Sequence, residues 1–282
     1  IKSIDLISIF SNLHKRGRAI LLRGGGLGDF ILTLPLLSYM RKHYGEVTLL
    51  TKPSYYCLTP VNNDNFQCLD LDLGVQSIEE QIEDSDIFTF WKDAAWEAEL
   101  KERGASRVFT LSSRPHAKPH VIDSMFNMVG TSLPKKCFTK AWLGDRWQEN
   151  SMIWIHPGSG SVTKNIPFSF YQNLADDWLR KSSQNEATFC FGEADQGILH
   201  SFQPQSFVFP ERIHSARPST VEEYKNMLTS GIAQFWGNDS GPSHLAANLG
   251  IPTNVCFQST HSEIWKPTGP RVTIHEFGQD AS

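Results

Sequence analysis

Short apolar runs alternate with amphipathic stretches along the whole chain. Apolar runs bounded by turn residues predict strands, and apolar residues spaced three and four positions apart predict helices. Strands are predicted at 19–23, 46–51, 66–69, 86–90, 107–111, 152–156, 187–191, 207–209, 234–236, 253–257 and 272–275. Helices are predicted at 29–43, 77–83, 94–103, 120–129, 168–182, 219–230 and 241–249. A chain in which strands and helices alternate folds as an α/β protein, with parallel sheets covered by helices.

The alternation is interrupted by residues 132–151, which are rich in charged and aromatic side chains. A boundary near residue 147 divides the 282 residues into two similar halves, and a chain of this length suggests about two domains. We therefore predict two doubly wound, Rossmann-like domains, at 1–146 and 147–282. Such sheets bind ligands at the carboxyl ends of their strands, and two such edges facing each other would enclose a cleft.

Composition and charge argue against several other classes of protein. The formal net charge of −4 does not favour nucleic-acid binding. The five cysteines are far apart and form no CxxC pair, so they predict reduced thiols in a cytoplasmic protein rather than a zinc site or disulfides. No apolar run reaches the roughly 18 residues of a membrane span. The first 13 residues have the spacing of an amphipathic helix, which would pack on its own domain or touch a membrane surface.

The turn after the first predicted strand, GGGLGD, has the glycines of a phosphate loop but ends in an acid. A dinucleotide fingerprint would require a glycine where Asp29 stands, and the second strand ends without the acidic residue that holds a ribose. Asp29 is then either the N-cap of the next helix or a general base. Gly25, Gly26 and Gly28 would let another molecule approach the backbone closely. Pro35 is expected to interrupt the helix that follows.

The turn after the strand at 152–156, PGSGSVTK, predicts a phosphate site. Its small residues leave backbone N–H groups accessible, and Lys164 adds a positive charge next to Thr163. It is not a P-loop, because the GxxxxGK[ST] pattern is absent. Glu193 follows a glycine at the end of the strand at 187–191, where a carboxylate can accept bonds from ribose hydroxyls or simply be solvated.

The turn after the strand at 234–236, GNDSGPSHL, is the most specific signal in the chain. Ser240 or Gly241 is the expected N-cap of a helix whose first N–H groups and dipole form an anion site. His244 lies one turn into this helix and can face the same ligand. Asp239 could accept a bond from a ligand hydroxyl or hold the loop, and a well-capped helix without a ligand is the alternative.

These three turns resemble the motifs of a known family. GGLGDFILTLPLL, HPGSGSVTK and NDSGPSHLAANLGIPT are similar, in the same order, to the motifs of glycosyltransferase family nine, the heptosyltransferases of lipopolysaccharide synthesis. The resemblance spans residues 24–253. It implies a GT-B architecture of two Rossmann-like domains facing across a cleft, with an ADP-sugar donor in the C-terminal domain and the acceptor in the N-terminal one. It also implies inversion at the anomeric carbon with no essential metal and no cofactor besides the donor.

The resemblance also assigns residues to roles. It makes Asp29 the catalytic base, places Lys164 on the donor phosphates and puts Glu193 at the ribose. The third motif maps onto four residues around the diphosphate: Asp239, Ser240, Gly241 and His244. The implied product is a lipopolysaccharide core or related glycan extended by a heptose, made in the cytoplasm or at the cytoplasmic face of the inner membrane.

A basic segment in the N-terminal half, SSRPHAKPH, would face the same cleft. Arg114 and Lys118, together with His116 and His120, would form a patch suited to an anionic acceptor such as a glycolipid, although a solvated loop explains the pattern equally well.

Two other interpretations stay open. A GT-B transferase could use another nucleotide sugar and a different glycan or protein acceptor, or the chain could bind a nucleotide sugar without catalysis.

Asp70 and Asp72 have the spacing of a metal-binding Asp-x-Asp pair, but their surroundings favour a structural role.

Overall fold

The computed structural model describes residues 16–278, so the predicted amphipathic helix over the first 13 residues lies outside the described part of the chain. The chain divides into two compact units. Among the described residues, the first unit contains 16–25, Thr33–Pro115 and Ile122–Ser132, and the second contains Gly26–Leu32, His116–Val121 and 133–278. The short segment after the glycine turn therefore belongs to the second unit, although a single cut near residue 147 assigns it to the first.

The strands in the described residues form two parallel sheets. The first contains β1 (Arg16–Arg23), β2 (Tyr44–Thr51), β3 (Phe66–Asp70), β4 (Ser85–Thr89) and β5 (Arg107–Thr110). The second contains β6 (Met152–His156), β7 (Glu186–Cys190), β8 (Ile213–Ala216), β9 (Gln234–Asn238), β10 (Thr253–Phe257) and β11 (Val272–Glu276). The helices are α1 (Leu27–Ile31), α2 (Leu34–His43), α3 (Glu79–Ile82), α4 (Ala94–Glu102), α5 (Val121–Met128), α6 (Phe168–Lys181), α7 (Gln196–Leu199), α8 (Val221–Thr229), α9 (Gly241–Asn248) and α10 (Ser262–Trp265).

Both sheets are doubly wound. The first has the order β3-β2-β1-β4-β5 and the second the order β11-β10-β9-β6-β7-β8. In each, the chain starts in the middle, builds one side and then returns to build the other, so the order reverses between β1 and β4 and between β6 and β9. Ligands of such sheets bind outside the carboxyl ends of the strands at this switch point.

Each sheet carries its own apolar core, as its strand composition predicts. In the first unit, side chains from the central strands pack against helices on one face: Ile20, Leu22, Leu50, Ile78, Ile82, Ile87 and Leu100. In the second unit, Ile153, Ile155 and Phe189 of the sheet pack against Tyr171 and Leu179 of α6. Strands β4, β6 and β7 are buried on both faces, which explains why they read as continuous apolar runs rather than alternating ones.

The predicted strand at 207–209 is wrong, and the strand at this position in the fold is β8, Ile213–Ala216. The apolar run that suggested a strand reflects core packing, because the ring of Phe207 lies 5.3 Å from that of Phe189. Pro210 follows the run and starts a 3-10 turn instead. The edge strand β8, with the sequence IHSA, lacks the apolar pattern that would have revealed it.

The predicted helix at 29–43 is split where Pro35 was expected to interrupt it. Helix α1 ends at Ile31 and α2 begins at Leu34, with Pro35 in its first turn. Proline lacks an N–H group, and the first turn is where a helix needs none. No helix among residues 16–278 is both long enough and apolar enough to cross a membrane.

Candidate active site

The second and third motifs meet at the switch point of the second sheet. Strands β6 and β9 are adjacent and parallel, with His156 in register with Gly237. The turns that leave their carboxyl ends are therefore neighbours at the position where a doubly wound sheet binds its ligand. This adjacency places Lys164, from the first of these turns, beside Asp239, from the second.

Asn238, the last residue of β9, fastens the two turns together. Its side chain is fully buried. The amide Nδ2 donates to the carbonyl of Pro157 at 2.7 Å, and Oδ1 accepts from the hydroxyl of Tyr171 at 2.7 Å and from the N–H of Ile166 at 3.1 Å. The local sequence around Asn238 does not indicate these bonds, because the partners lie far away along the chain.

Asp239 is the centre of the charged part of the site. Its Oδ2 accepts from Lys164 Nζ at 2.7 Å and from the hydroxyl of Thr260 at 2.8 Å, and Oδ1 lies 3.7 Å from His244 Nε2. Burial alone would raise the pKa of Asp239, but the hydrogen bond and charge of His244 and the charge of Lys164 outweigh it and lower that pKa to about 2. Asp239 is therefore ionised at neutral pH and holds the lysine in place.

Helix α9 begins at this point with the expected cap residue but without the expected cap bond. Ser240 has the extended conformation of an N-cap, yet its side chain makes no capping hydrogen bond. The hydroxyl instead lies 3.5 Å from that of Ser243, which donates to the carbonyl of Asn238 at 2.6 Å. The first N–H groups of a helix have no acceptor within it, so this end attracts an anion.

Asp29 lies in the same unit as these residues, on the short helix α1. It is not the N-cap, because Gly26 has that position and the Asp29 carboxylate reaches back to accept its N–H at 3.1 Å. The side chain is half-buried. The structural role expected for Asp29 therefore exists, but from the third position of the helix.

Helix α1 packs directly on the first turn of α9. A Cβ added to Gly241 would lie 2.8 Å from Leu27 Cβ, and one added to Gly28 would lie 3.1 Å from His244 Cδ2. Gly241 therefore lets the two helices approach, and a side chain at Gly28 would make a tight contact with His244. Gly28 was predicted to admit a substrate to an acceptor-side loop, but it is helical and faces α9.

The remaining predicted donor residues are more exposed. Thr163 lies in the 3-10 turn of the second motif, with its hydroxyl 2.9 Å from that of Ser161. Glu193 is exposed in the 3-10 turn after β7. Two residues further on, Asp195 points inward and accepts from the N–H of Gly192 at 2.7 Å.

Asp195 packs against Gly158 of the second motif, a contact that the sequence did not indicate. A Cβ at Gly158 would lie 1.7 Å from Asp195 Oδ1, so glycine is required there. Asp195 Oδ2 lies 3.5 Å from His156 Nε2, and both side chains are buried. Burial lowers the pKa of His156, although the charge of Asp195 opposes the shift.

The predicted basic patch is not a single patch of cations. Burial lowers the pKa of His120 to about 4, so its ring is neutral at pH 7, and its Nε2 lies 2.9 Å from the carbonyl of Lys266. Lys118 forms an ion pair with Glu263 in the second unit. Arg114 and His116 are exposed, and Arg114 belongs to the first unit.

Gly25 and the pair Asp70 and Asp72, which were singled out in the sequence, lie in the first unit. The Gly25 carbonyl accepts from the hydroxyl of Tyr55 at 3.1 Å, and Gly25 has a φ of 94°, which favours glycine. Asp70 caps a 3-10 turn by accepting the N–H of Asp72 at 3.0 Å, a structural role. Within residues 16–278 there is no group of three or more His, Cys, Asp or Glu side chains arranged to hold a metal ion.

Two Rossmann-like units with an anion site at the switch point of the second are the components of a GT-B glycosyltransferase, and solved structures match most of the chain. A family 9 glycosyl transferase from Veillonella parvula DSM 2008 has a TM-score of 0.71 at 15% identity, over 94% of this chain and 87% of that one. E. coli ADP-heptose lps heptosyltransferase II has a TM-score of 0.67 at 14% identity, over 92% and 90%. E. coli heptosyltransferase WaaC with ADP has a TM-score of 0.64 at 12% identity, over 92% of this chain and 93% of that one. WaaC with ADP-2-deoxy-2-fluoro heptose has a TM-score of 0.60 at 13% identity, over 92% of each chain. At these identities the likeness establishes the fold, which is GT-B.

The family follows from the sequence itself. The profile of glycosyltransferase family 9 (heptosyltransferase) matches residues 129–281, more than half of the chain, and the chain belongs to this family. It is a glycosyltransferase. The matched range contains the second and third motifs, while the turn that carries Asp29 precedes it. A search of curated protein sequences returns no match.

Proposed function

We propose that this glycosyltransferase transfers a heptose or related sugar from an ADP-sugar to a lipopolysaccharide core or related glycan, with inversion and without an essential metal. The observation that carries the proposal is the ion pair of Lys164 and Asp239, with 2.7 Å between Nζ and Oδ2, at the first turn of α9. A cation fixed beside a helix N-terminus suits a diphosphate. The WaaC structures contain ADP and an ADP-heptose analogue, which is consistent with this donor class.

The donor would be held by charge and by backbone dipoles. Lys164 Nζ has three N–H donors, and Asp239 uses one of them, so the ammonium can still bond a phosphate oxygen. The backbone N–H groups of Gly241 and Ser243, in the first turn of α9, would bond the same diphosphate, whereas Pro242 between them has no N–H. When the bond between the sugar and ADP breaks, negative charge grows on the leaving phosphate, and these fixed positive groups lower the barrier. They provide the charge stabilisation that a metal ion supplies in other transferases.

Asp29 would act as the general base. An acceptor hydroxyl attacks the anomeric carbon from the side opposite ADP, its proton passes to the Asp29 carboxylate, and the bond to the ADP oxygen breaks. A single displacement of this kind inverts the anomeric configuration. The position of Asp29 supports the role because α1 packs on the first turn of α9, where the donor diphosphate would lie.

The donor is tested by calorimetric titration with ADP, UDP and GDP. We expect ADP to bind with the highest affinity and binding to persist in EDTA. Preference for UDP or GDP would instead favour a transferase with another nucleotide sugar. If none of the three nucleotides binds, the proposed donor is wrong.

The base is tested by Asp29→Asn. The asparagine Oδ1 can still accept the N–H of Gly26, so the fold should be retained. We expect the transfer rate to fall by about 10²- to 10⁴-fold, the usual contribution of a positioned base, with ADP affinity unchanged. Asp177→Asn, at an exposed carboxylate of α6, is the control and should retain full activity. Wild-type transfer by folded Asp29→Asn would show that Asp29 is not the base.

The acceptor determines where the protein works. A glycan built on a lipid would place the reaction at the cytoplasmic face of the inner membrane, with the protein peripheral to it. Sedimentation with vesicles that contain the acceptor glycolipid, compared with vesicles that lack it, measures this association.

A further inference from the structure

The first unit has a cavity at its own switch point. The cavity has a volume of about 480 Å³ and lies at the carboxyl ends of β1, β2, β3 and β4. Ligand sites in proteins have volumes of about 300–1,000 Å³ and favour this position in a doubly wound sheet. Position and size therefore both indicate a binding site rather than a packing defect.

The cavity wall is mainly apolar. Leu22 and Leu50, which are almost fully buried, line it together with the half-buried Leu71. Trp91 and Trp96 line another side, with ring centroids 6.0 Å apart and planes at 85° to each other. Two perpendicular indoles can form a corner that offers apolar ring surface on two sides.

The first motif borders this cavity. A Cβ added to Gly24 would lie 3.1 Å from Leu71 Cδ2 and 3.9 Å from Trp91 Cζ2. The absence of a side chain at Gly24 therefore leaves room for these two lining residues. Gly24 comes five positions before Asp29 along the chain. Trp91 has 45% of its surface exposed, so its indole is accessible from solvent.

The charged side chains of the lining are those of Lys92 and Asp93. Asp93 Oδ1 already accepts two N–H groups of α4, from Ala95 at 3.0 Å and Trp96 at 3.2 Å, which gives it a capping role. A sugar ring has several hydroxyls, and each one buried against leucine or indole without a partner is costly. Apart from Lys92 and Asp93, the side chains of the wall are leucine and tryptophan, which favour an apolar group.

We propose that this tryptophan pocket, defined by Leu22, Leu50, Leu71, Trp91 and Trp96, binds an apolar group of the acceptor, either an acyl chain or an aromatic aglycone. The identity of the ligand as part of the acceptor rests on the proposed transferase function, whereas the pocket itself does not. The acceptor would then be recognised by an apolar portion in addition to its reacting sugar and any anionic group.

The pocket is tested by calorimetric titration of the full chain with three β-D-glucopyranosides: octyl, below its critical micelle concentration, phenyl and methyl. We expect the octyl or the phenyl glycoside to bind at least about tenfold more tightly than the methyl glycoside, because only these carry a group that fills the pocket. Preference for octyl indicates an acyl chain, and preference for phenyl an aromatic aglycone. Equal affinity for all three overturns the proposal.

Two variants locate the binding. Trp91→Ala should remove most of the tenfold preference, and Trp91→Phe should retain part of it, since a smaller ring still contacts the ligand. The control is Met128→Ala, because Met128 lies in the same unit with the same exposed fraction of 45% but does not line the cavity. Equal loss in Trp91→Ala and Met128→Ala would overturn the assignment.

Titration of the same variants with ADP separates this proposal from the proposed function. Normal ADP binding with no glycoside preference means that the pocket assignment fails while the transferase stands. Glycoside preference without ADP binding means that the pocket stands while the donor proposal fails.

Discussion

Substitution of Gly241 by alanine tests the close packing of α1 on α9. The new Cβ would lie 2.8 Å from Leu27 Cβ, closer than real Cβ contacts allow, and 3.1 Å from the backbone nitrogen of Gly28, which is tighter than most. Because the second neighbour is backbone, relief requires α1 or α9 to shift. Overpacking of this kind costs about 1–3 kcal/mol.

A gain in helix propensity opposes this cost. Replacing glycine by alanine inside a helix stabilises by up to about 1 kcal/mol, and by less in the first turn. The net expectation for Gly241→Ala is a loss of about 1–2 kcal/mol, which lowers the melting temperature by roughly 2–8 °C for a domain of this size. ADP affinity should fall as well, because the shifted helix end carries the proposed phosphate donors.

The matched control is Gly197→Ala. Gly197 is also near the start of a helix of the second unit, but a Cβ there would meet no atom within 4 Å. It should be neutral or slightly stabilised. Both variants are measured by thermal unfolding, with and without ADP. If Gly241→Ala melts at or above the temperature of Gly197→Ala, α1 does not pack against α9 as described.

The charges of the second unit yield the remaining predictions. Asp239→Asn should lose about 2 kcal/mol of unfolding free energy at pH 7, because the pKa of Asp239 is lowered from 3.8 to about 2. In the wild type this stabilisation is lost as the pH falls from about 4 to about 2. Identical acid titrations of the wild type and the variant would contradict this prediction. The pKa of His120 is lowered from 6.5 to about 4 because burial penalises the charged ring, so the fold should lose about 3 kcal/mol of unfolding free energy as the pH falls from about 6.5 to about 4; His120→Gln should flatten that part of the stability curve in urea denaturation. Lys164→Ala should weaken ADP binding by about tenfold or more in calorimetry, and Lys181→Ala, at the end of α6, should not change it.

Local sequence determined the secondary structure well where apolar runs were flanked by turn residues. Strand β10 was predicted at its observed bounds, 253–257, and Pro35 was expected to divide a helix and does so. The failure at 207–209 has a clear cause. Phe207 is apolar because it fills the core from a loop, and a single sequence does not distinguish such a residue from one in a buried strand.

Site chemistry was harder to predict because charge depends on partners distant in sequence. His120 was expected among cations, but its burial keeps it neutral. Gly28 was expected to admit a substrate, and the nearest neighbour of a Cβ there would be His244, more than two hundred positions away, which the local sequence does not indicate. Trp91 and Trp96 do not indicate a pocket in the sequence, because only the folded backbone brings their rings together beside the strands.

The sequence alone therefore determined the α/β class, the three turns with their residue types and the resemblance to a family, because each of these is written in local patterns of apolarity, glycine and charge. Only the tertiary structure decided that Lys164 meets Asp239, that Asn238 joins two loops and that Asp29 belongs to the unit of the proposed donor site. Those relations depend on strand order, since β6 and β9 lie side by side although about eighty residues separate them. The physical reason is that hydrogen bonds, burial and pKa shifts arise between groups that only the folded sheet brings within reach.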